Sequence, residues 1–300
     1  MIYSIEIFFI VDKTHKHNNI FIIHIHRQRS MTNITFSTCW YILKSKFDVE
    51  TYTRWMDNML SNVNSYNLVV YSDKNSASYI EKYLDNPRIK LVIKEVHEFY
   101  NYKYKKQWIK NHLNNELLRD KVNWQVNMLW NEKVCFVNET VQEKYFDTEF
   151  YGWCDIGYFR NRKNDTCSNE LTFWPSPEKI ESLDKNRIYY ACVNNNKPHI
   201  EFLYYLIQNK NDLGLPKYPI PPEQFSIAGG FFILHKDKME WWKTTYDTRL
   251  QLYFDNDYLV KDDQIIVVDC VFTEIENFKL CCEANPEYDN WFLFQRYLSV

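Results

Sequence analysis

Hydrophobic and polar positions along the chain predict short strands that alternate with helices. Apolar runs typical of buried strands cover 34–39, 67–73, 89–93, 150–154, 227–234 and 278–282. Between these runs, apolar residues recur at helical spacing over 49–63, 77–84, 98–118, 120–145, 239–254 and 263–271. Asp48 stands where the first helix needs an N-cap. This alternation indicates a single α/β domain with a mostly parallel sheet flanked by helices.

Ligands of such sheets bind at the carboxyl ends of the strands. This rule selects Thr38 near the end of the first strand, Asp73 after the second, Asp155 after the fourth, and the segment following Leu234. The chain contains neither G-x-G-x-x-G nor G-x-x-x-x-G-K-[ST]. A dinucleotide fingerprint and a P-loop are therefore absent from the sequence.

Residues 1–30 differ from the rest of the chain. The apolar run 2–11 is interrupted by Glu6 and has no small-residue cleavage site, so it matches a secretory signal poorly. Met31 opens a segment that runs directly into the first strand. We expect residues 1–30 to be an N-terminal extension outside the domain and residues 31–300 to form the domain.

Composition narrows the class of protein. Hydrophobic residues make up 45% and charged residues 25%, as in soluble globular proteins. The net charge of −3 lacks the basic excess of a dedicated nucleic-acid binder. No apolar run reaches the length of a transmembrane helix. The 8 cysteines form no C-x-x-C pair, which favours reduced core thiols in a cytoplasmic protein.

The segment 151–160 carries the first candidate chemistry. An aromatic strand presents Asp155 at its end, with Gly157 and Arg160 just beyond. A carboxylate there can hold a divalent cation against a diphosphate, and an arginine can offset phosphate charge. The alternative is an Asx-turn in which Asp155 caps the strand and Gly157 supplies a positive φ.

The second set of candidate residues lies in the segment 224–235 and in the acids that follow it. Gly229 and Gly230 stand side by side in an apolar run, although the chain has only 5 glycines. Adjacent glycines in a strand suggest the close approach of a ligand or another backbone. Asp262 and Asp263 then open a helix, where they either complement the helix dipole or act as a base or acceptor-orienting carboxylate.

In this order, the segments resemble the HtrL/YibB/WlaTC family of proposed glycosyltransferases. The resemblance spans Met31 to about Trp291 and depends on the segments 34–40, 127–133, 153–160, 228–232 and 263–264. It implies a GT-A-like, Rossmann-type fold. It also implies hexosyltransferase-like transfer from a nucleotide-sugar donor to a glycan or other hydroxyl acceptor, as in glycan biosynthesis.

The resemblance implies roles for the matching residues. Asp155 matches the metal-binding acid, and Lys133 matches a lysine near the donor diphosphate. Gly229 and Gly230 match the acceptor side. Asp263 matches an acidic residue near the C-terminal end of the family pattern. It is the first candidate for the general base of an inverting transfer, whereas a retaining transfer would not use it as a base.

Thr38, Asp73 and Arg160 complete the predicted donor-binding set. Mn²⁺ or Mg²⁺ is the cofactor that the resemblance implies. The sequence departs from a D-x-D motif because Gly157 occupies the third position, and no histidine follows His235. A single carboxylate holds either ion only with help from diphosphate, water or a distant acid.

Aromatic residues make up 18% of the chain. Tryptophan stacks on sugar faces, and the candidates are Trp40, Trp153, Trp174, Trp241 and Trp242; burial in the core is the alternative for each. The Tyr/Lys run 100–106 suits a phosphate-bearing acceptor or peripheral contact with an anionic membrane. A solvated helix face is the commoner explanation for such a run.

Two other functions compete with sugar transfer. A non-catalytic carbohydrate-binding protein could keep the same fold and aromatic cleft. A metal-dependent hydrolase could use Asp155 with Asp262 and Asp263, although the sequence shows no His/Asp cluster for it.

Overall fold

The computed structural model describes residues 33–166, 170–194, 196–283 and 285–299. The predicted N-terminal extension, residues 1–30, lies outside the described residues. Within these ranges, seven strands form one sheet: β1 (Ile34–Trp40), β2 (Asn67–Ser72), β3 (Ile89–Ile93), β4 (Phe150–Cys154), β5 (Ile188–Ala191), β6 (Phe231–His235) and β7 (Phe278–Cys281).

The same ranges contain nine α-helices. They are α1 (Val49–Leu60), α2 (Ser78–Glu81), α3 (Lys105–Asn114), α4 (Trp124–Gln142), α5 (Pro177–Glu181), α6 (Lys197–Gln208), α7 (Met239–Asp255), α8 (Asp263–Thr273) and α9 (Leu293–Tyr297). The Asp48 carboxylate accepts a hydrogen bond from the backbone N–H of Thr51, which confirms the predicted N-cap of α1. In the described part of the chain, every helix is too short or too polar to cross a bilayer.

The strands follow the order β3-β2-β1-β4-β6-β5-β7. Strand β6 is antiparallel to both of its neighbours, and the other four pairings are parallel. The predicted α/β class, with a mostly parallel sheet flanked by helices, is therefore confirmed.

Helices cover both faces of the sheet, as strand β2 shows. Leu68 and Val70 belong to the core that includes α1, whereas Val69 and Tyr71 belong to the core that includes α4. The rings of Tyr71 and Phe136 stack with their centroids 4.4 Å apart. Because successive side chains of a strand point to opposite faces, burial on both faces makes the whole strand apolar. The seven cysteines in the described ranges are unpaired, and four of them are buried.

Several element boundaries differ from the predictions. The predicted helix 98–118 begins as a 3₁₀ turn and becomes α-helical only at Lys105, and α2 is a single turn. The prediction missed β5, which has only four residues, and α6. In α6 the exposed Phe202 and Tyr205 stand among the buried positions Leu203 and Ile207, so the apolar pattern does not define one face.

The direction of β6 decides which residues reach the ligand-binding edge. Cys154 pairs with Phe231, so Gly229 and Gly230, which precede β6, lie at the carboxyl edge of the parallel strands. The other end of β6 pairs with Phe150 at the opposite edge. The prediction that the segment following Leu234 reaches the ligand edge is therefore wrong, because it assumed a parallel strand.

Candidate functional site

A cleft in two connected halves opens at the carboxyl edge of the sheet. The halves enclose about 790 Å³ and 1060 Å³ of space, open solvent at the cleft mouth included. Both are lined by Tyr52, Trp130, Lys133, Asp155 and Arg160. A ligand that occupies both halves would therefore pass directly over these side chains.

The two halves differ in chemistry. The smaller half lies beside the end of β1, and most of its lining residues are apolar; these include Trp40, Ile42, Leu43, Val49, Val126, Leu129, Trp153 and Ile156. The larger half carries most of the charge, contributed by Lys46, Lys133, Asp155, Arg160, Arg162, Asp262, Asp263 and Asp289. The cleft therefore suits a ligand with one apolar and one strongly polar end.

Lys133 joins the two predicted acids of the site. It projects from the middle of α4, and its side chain is only 8% exposed. Its Nζ lies 3.2 Å from Asp155 Oδ1 and 3.0 Å from Asp263 Oδ2, and it donates a hydrogen bond of 2.8 Å to the carbonyl of Gly229. Burial opposes the charge of Lys133, but the two carboxylates outweigh it and hold its pKa above the usual value.

Asp155 is held by β4 and by the segment that precedes β6. Its Oδ1 accepts a 2.6 Å hydrogen bond from the indole N–H of Trp153, and its backbone N–H donates to the carbonyl of Gly230 at 2.9 Å. Its side chain is 42% exposed to the cleft. The Asp155 carboxylate is thus directed at Trp153 and Lys133, and the turn is closed by the backbone bond from Tyr158 N–H to the Asp155 carbonyl.

Gly157 does not have the positive φ that the turn alternative requires. A Cβ at Gly157 would instead lie 2.9 Å from the ring of Trp55. The Asx-turn interpretation of Asp155 and Gly157 is therefore wrong. Glycine is needed here because Trp55 packs directly against its Cα.

Asp263 begins α8 and is buried beneath the glycine pair. Burial raises the pKa of Asp263 to about 6, while the Lys133 ammonium acts in the opposite direction. A Cβ on Gly229 would lie 2.5 Å from Asp263 Oδ2, and one on Gly230 would lie 3.1 Å from Asp155 Oδ2. The close approach that the glycines predict is thus made by the two carboxylates of the site itself.

Arg160 and Lys46, two of the cations that line the cleft, lie over aromatic rings. The guanidinium of Arg160 lies 4.1 Å from the ring centroid of Trp55 and 4.9 Å from that of Phe292, and its Nε donates to the Gly157 carbonyl. The Lys46 ammonium lies 4.7 Å from the Trp130 ring centroid. Among the described residues, no carboxylate lies within 4.0 Å of either cation. Both are therefore available to an anionic ligand.

Two buried oxygens of the larger half have no hydrogen-bond partner among the described residues. They are Oδ1 of Asp262 and Oε1 of Gln264. Asp262 is only 4% exposed, and its Oδ2 pairs with Lys261 at 3.1 Å. An unsatisfied buried carboxylate oxygen is costly unless a ligand donates to it.

Two predicted donor-binding residues do not line the cleft. Thr38 is fully buried because β1 continues to Trp40 before it reaches the edge. Asp73 accepts a 2.7 Å hydrogen bond from the backbone N–H of Ser76. The structure brings together Lys133, Asp155, Arg160, Gly229, Gly230 and Asp263, but not these two.

The aromatic candidates are divided in the same way. Trp40, Trp153, Trp174 and Trp242 are all buried in the hydrophobic cores, and Trp40 and Trp153 also line the smaller half of the cleft. Trp241 packs against the core and is not part of the cleft lining. Other aromatic and cationic lining residues were not predicted from the sequence; they are Tyr41, Lys46, Phe47, Tyr52, Trp130, Arg162, Trp291 and Phe292. Only Trp130 carried a signal, since it lies inside the segment 127–133.

The Tyr/Lys run 100–106 lies outside the cleft lining. Lys103 pairs with Asp247 of α7 at 3.1 Å, and its Nζ lies 3.8 Å from the Tyr100 ring centroid. The run packs against a helix, so its contact with a phosphate-bearing acceptor or a membrane stays a prediction.

The donor set is a poor fit for the predicted Mn²⁺ or Mg²⁺. The described ranges contain no group of three or more His, Cys, Asp or Glu side chains that could hold a metal ion. The position between Asp155 and Asp263 is taken by the Lys133 ammonium. Mg²⁺ and Mn²⁺ need several oxygen ligands, and Asp155 would offer them a single carboxylate.

Solved structures of known proteins are similar to this fold. No family model matches the chain, and no curated protein matches its sequence. The crystal structure of mouse xyloside xylosyltransferase 1 in its apo form is similar over 83% of this chain and 84% of that chain, with 11% identity and a TM-score of 0.46.

Proposed function

We propose that this chain is a GT-A-like glycosyltransferase that moves a sugar from a nucleoside diphosphate donor to a hydroxyl of a glycan or similar acceptor. The observation that carries the proposal is the placement of Arg160 and Lys46. Two cations without a carboxylate partner in the described part of the chain line a cleft that also holds Asp155 and Asp263. The family resemblance of the sequence agrees with this function.

The two halves of the cleft suit the two ends of a nucleotide-sugar. The apolar half, with Trp40, Tyr52 and Trp130 in its lining, suits a nucleobase and ribose. Arg160 lines both halves and Lys46 lines the larger one, so a diphosphate that passes between the halves can meet both cations. Arginine binds phosphate oxygens through paired hydrogen bonds, and lysine adds a point charge.

The chemical step forms one bond and breaks one. The acceptor hydroxyl oxygen bonds to the anomeric carbon of the donor sugar, and the bond from that carbon to the diphosphate oxygen breaks with its electron pair. Arg160 and Lys46 stabilise the charge that develops on the leaving diphosphate. In an inverting transfer Asp263 accepts the hydroxyl proton, because it is the buried acid with the raised pKa.

A thermal-shift screen tests the donor half of the proposal. The full chain is heated with UDP-, GDP-, CDP- and ADP-sugars, each with and without Mn²⁺. A donor that binds the folded state raises the melting temperature. We expect at least one sugar nucleotide to raise the melting temperature of the wild type. Arg160→Gln is expected to lose this shift. The control variant Asp85→Asn, which changes an exposed carboxylate, is expected to keep it.

Product analysis then separates transfer from the competing functions. With acceptor glycans present, the proposal expects release of nucleoside diphosphate together with a lengthened glycan. Glycan binding without any sugar-nucleotide shift would identify a carbohydrate-binding protein and contradict the proposal. Release of free sugar with no acceptor dependence would identify a hydrolase.

A further inference from the structure

We infer that this site works without a divalent cation, with the Lys133 ammonium in the position between the two acids and Arg160 and Lys46 supplying the charge for the diphosphate. The inference rests on the proposed function for its diphosphate. It differs from the Mn²⁺ or Mg²⁺ that the sequence resemblance implies, and three features of the cleft support it.

The first feature is that the Lys133 ammonium has no free position. Its three N–H groups face three acceptors: Asp155 Oδ1 at 3.2 Å, Asp263 Oδ2 at 3.0 Å and the Gly229 carbonyl at 2.8 Å. A divalent cation that bridged the two acids would have to displace this ammonium or lie beside it, and like charges at that distance repel. Lys133 is buried in the middle of α4, so its side chain has little room to move away.

The second feature is the space beside Gly157. In a D-x-D motif that begins at Asp155, position 157 would carry the second carboxylate. A Cβ there would lie 2.9 Å from the Trp55 ring. That ring in turn holds the Arg160 guanidinium at 4.1 Å. The space that the second carboxylate of a D-x-D motif would need is therefore occupied by the Trp55 ring, with the Arg160 guanidinium next to it.

The third feature is the balance of charge at the centre of the cleft. Lys133 offsets one of the two carboxylates that contact it, and Arg160 and Lys46 remain without a carboxylate within 4.0 Å in the described ranges. A diphosphate brings negative charge that such cations bind directly. In this arrangement the protein's own side chains supply the positive charge at the leaving group.

A titration with Mn²⁺ alone tests the inference on the metal-free full chain. Free Mn²⁺ is followed by electron paramagnetic resonance, and the wild type is expected to show no saturable site up to about 1 mM. Lys133→Ala releases both acids and is expected to bind Mn²⁺ at least about tenfold more tightly, with Lys133→Ala/Asp155→Asn losing that gain. Saturable binding by the wild type that Asp155→Asn abolishes would overturn the inference, even if Lys133→Ala fails to fold.

Nucleoside diphosphate binding gives the second measurement. Calorimetric titrations with UDP, GDP, CDP and ADP are run in EDTA and again with Mn²⁺. The inference expects dissociation constants that agree within about threefold, whereas a loss of about tenfold or more in EDTA would overturn it. If none of the four binds in either buffer, the proposed function fails, and the Mn²⁺ titration still decides whether Asp155 holds a cation.

Discussion

Gly229 lies directly against the carboxylate of Asp263. A Cβ on Gly229 would be 2.5 Å from Oδ2 and 2.8 Å from Oδ1 of that side chain, closer than real Cβ contacts. The Gly229 carbonyl also accepts a hydrogen bond from Lys133. The glycine therefore sets the position of both charged partners at once.

We expect Gly229→Ala to displace Asp263 and to abolish most activity in a folded protein. Asp263 is short and buried, so relieving the clash would shift the backbone at a cost of about 1–3 kcal/mol. Turnover and the free energy of unfolding measure the two effects. Gly230→Ala is the control, because its Cβ would lie 3.1 Å from Asp155 Oδ2, on a side chain exposed enough to move. Equal turnover in Gly229→Ala and the wild type would contradict the role given to this contact.

Arg160→Gln is expected to weaken nucleoside diphosphate binding by about 10- to 100-fold, since charge-assisted hydrogen bonds are worth about 1.5–3 kcal/mol. Calorimetry with the nucleotide found in the screen measures it. Arg162→Gln is the matched control, because Arg162 is paired with Asp165 and Asp289. A smaller loss is expected there, and an equal loss in both variants would indicate a general charge effect.

Asp263 is expected to make a pH-dependent contribution to stability. Burial raises its pKa to about 6 in the folded state, above the ordinary value of about 3.8. The folded state therefore binds the proton more tightly, and stability falls as the pH rises from about 4 through 6. In Asp263→Asn this fall is expected to disappear. Urea unfolding at a series of pH values gives the free energy of unfolding of the wild type and of the variant. Subtracting one from the other cancels the contributions of other titrating groups, such as Glu132 with its raised pKa. A difference that stays constant between pH 4 and 7 would refute the assignment.

Lys133→Gln is expected to move the acid limb of the rate profile to higher pH. The ammonium lowers the pKa of Asp263, so removing it raises that pKa further. If Asp263 accepts the proton, kcat/KM then falls at a higher pH than in the wild type. An unchanged limb would mean that another group accepts the proton.

Asp262→Ala is expected to raise the KM for the acceptor by about tenfold, with the donor KM unchanged. Asp262 lines the larger half of the cleft, and its buried Oδ1 has no partner in the described ranges. We expect an acceptor hydroxyl in that half to donate to this oxygen. Steady-state kinetics with each substrate varied separately measure the split. Gln264→Leu, which removes the neighbouring unpaired oxygen, should show a weaker form of the same effect. A rise in the donor KM with an unchanged acceptor KM would show that Asp262 contacts the donor and not the acceptor.

Local pattern was enough to predict the strand Ile89–Ile93, the N-cap at Asp48 and the α/β class. These features depend on neighbours in the chain, so spacing and residue type are sufficient to recognise them. The glycine pair also predicted a close approach, because glycine is retained where a Cβ has no room. The approaching groups are the carboxylates of Asp263 and Asp155, however, and not the ligand or backbone that was expected.

Only the tertiary structure decided what approaches the glycines and where Lys133 lies. The antiparallel direction of β6 brings Gly229 and Gly230 to the same edge as Asp155. The residues of a strand do not by themselves determine whether it pairs parallel or antiparallel with its neighbours. Lys133 meets Asp263 across 130 positions of sequence, in a contact made when α4 packs against α8. Local sequence determined the elements and their candidate chemistry, whereas long-range packing determined which charges face one another.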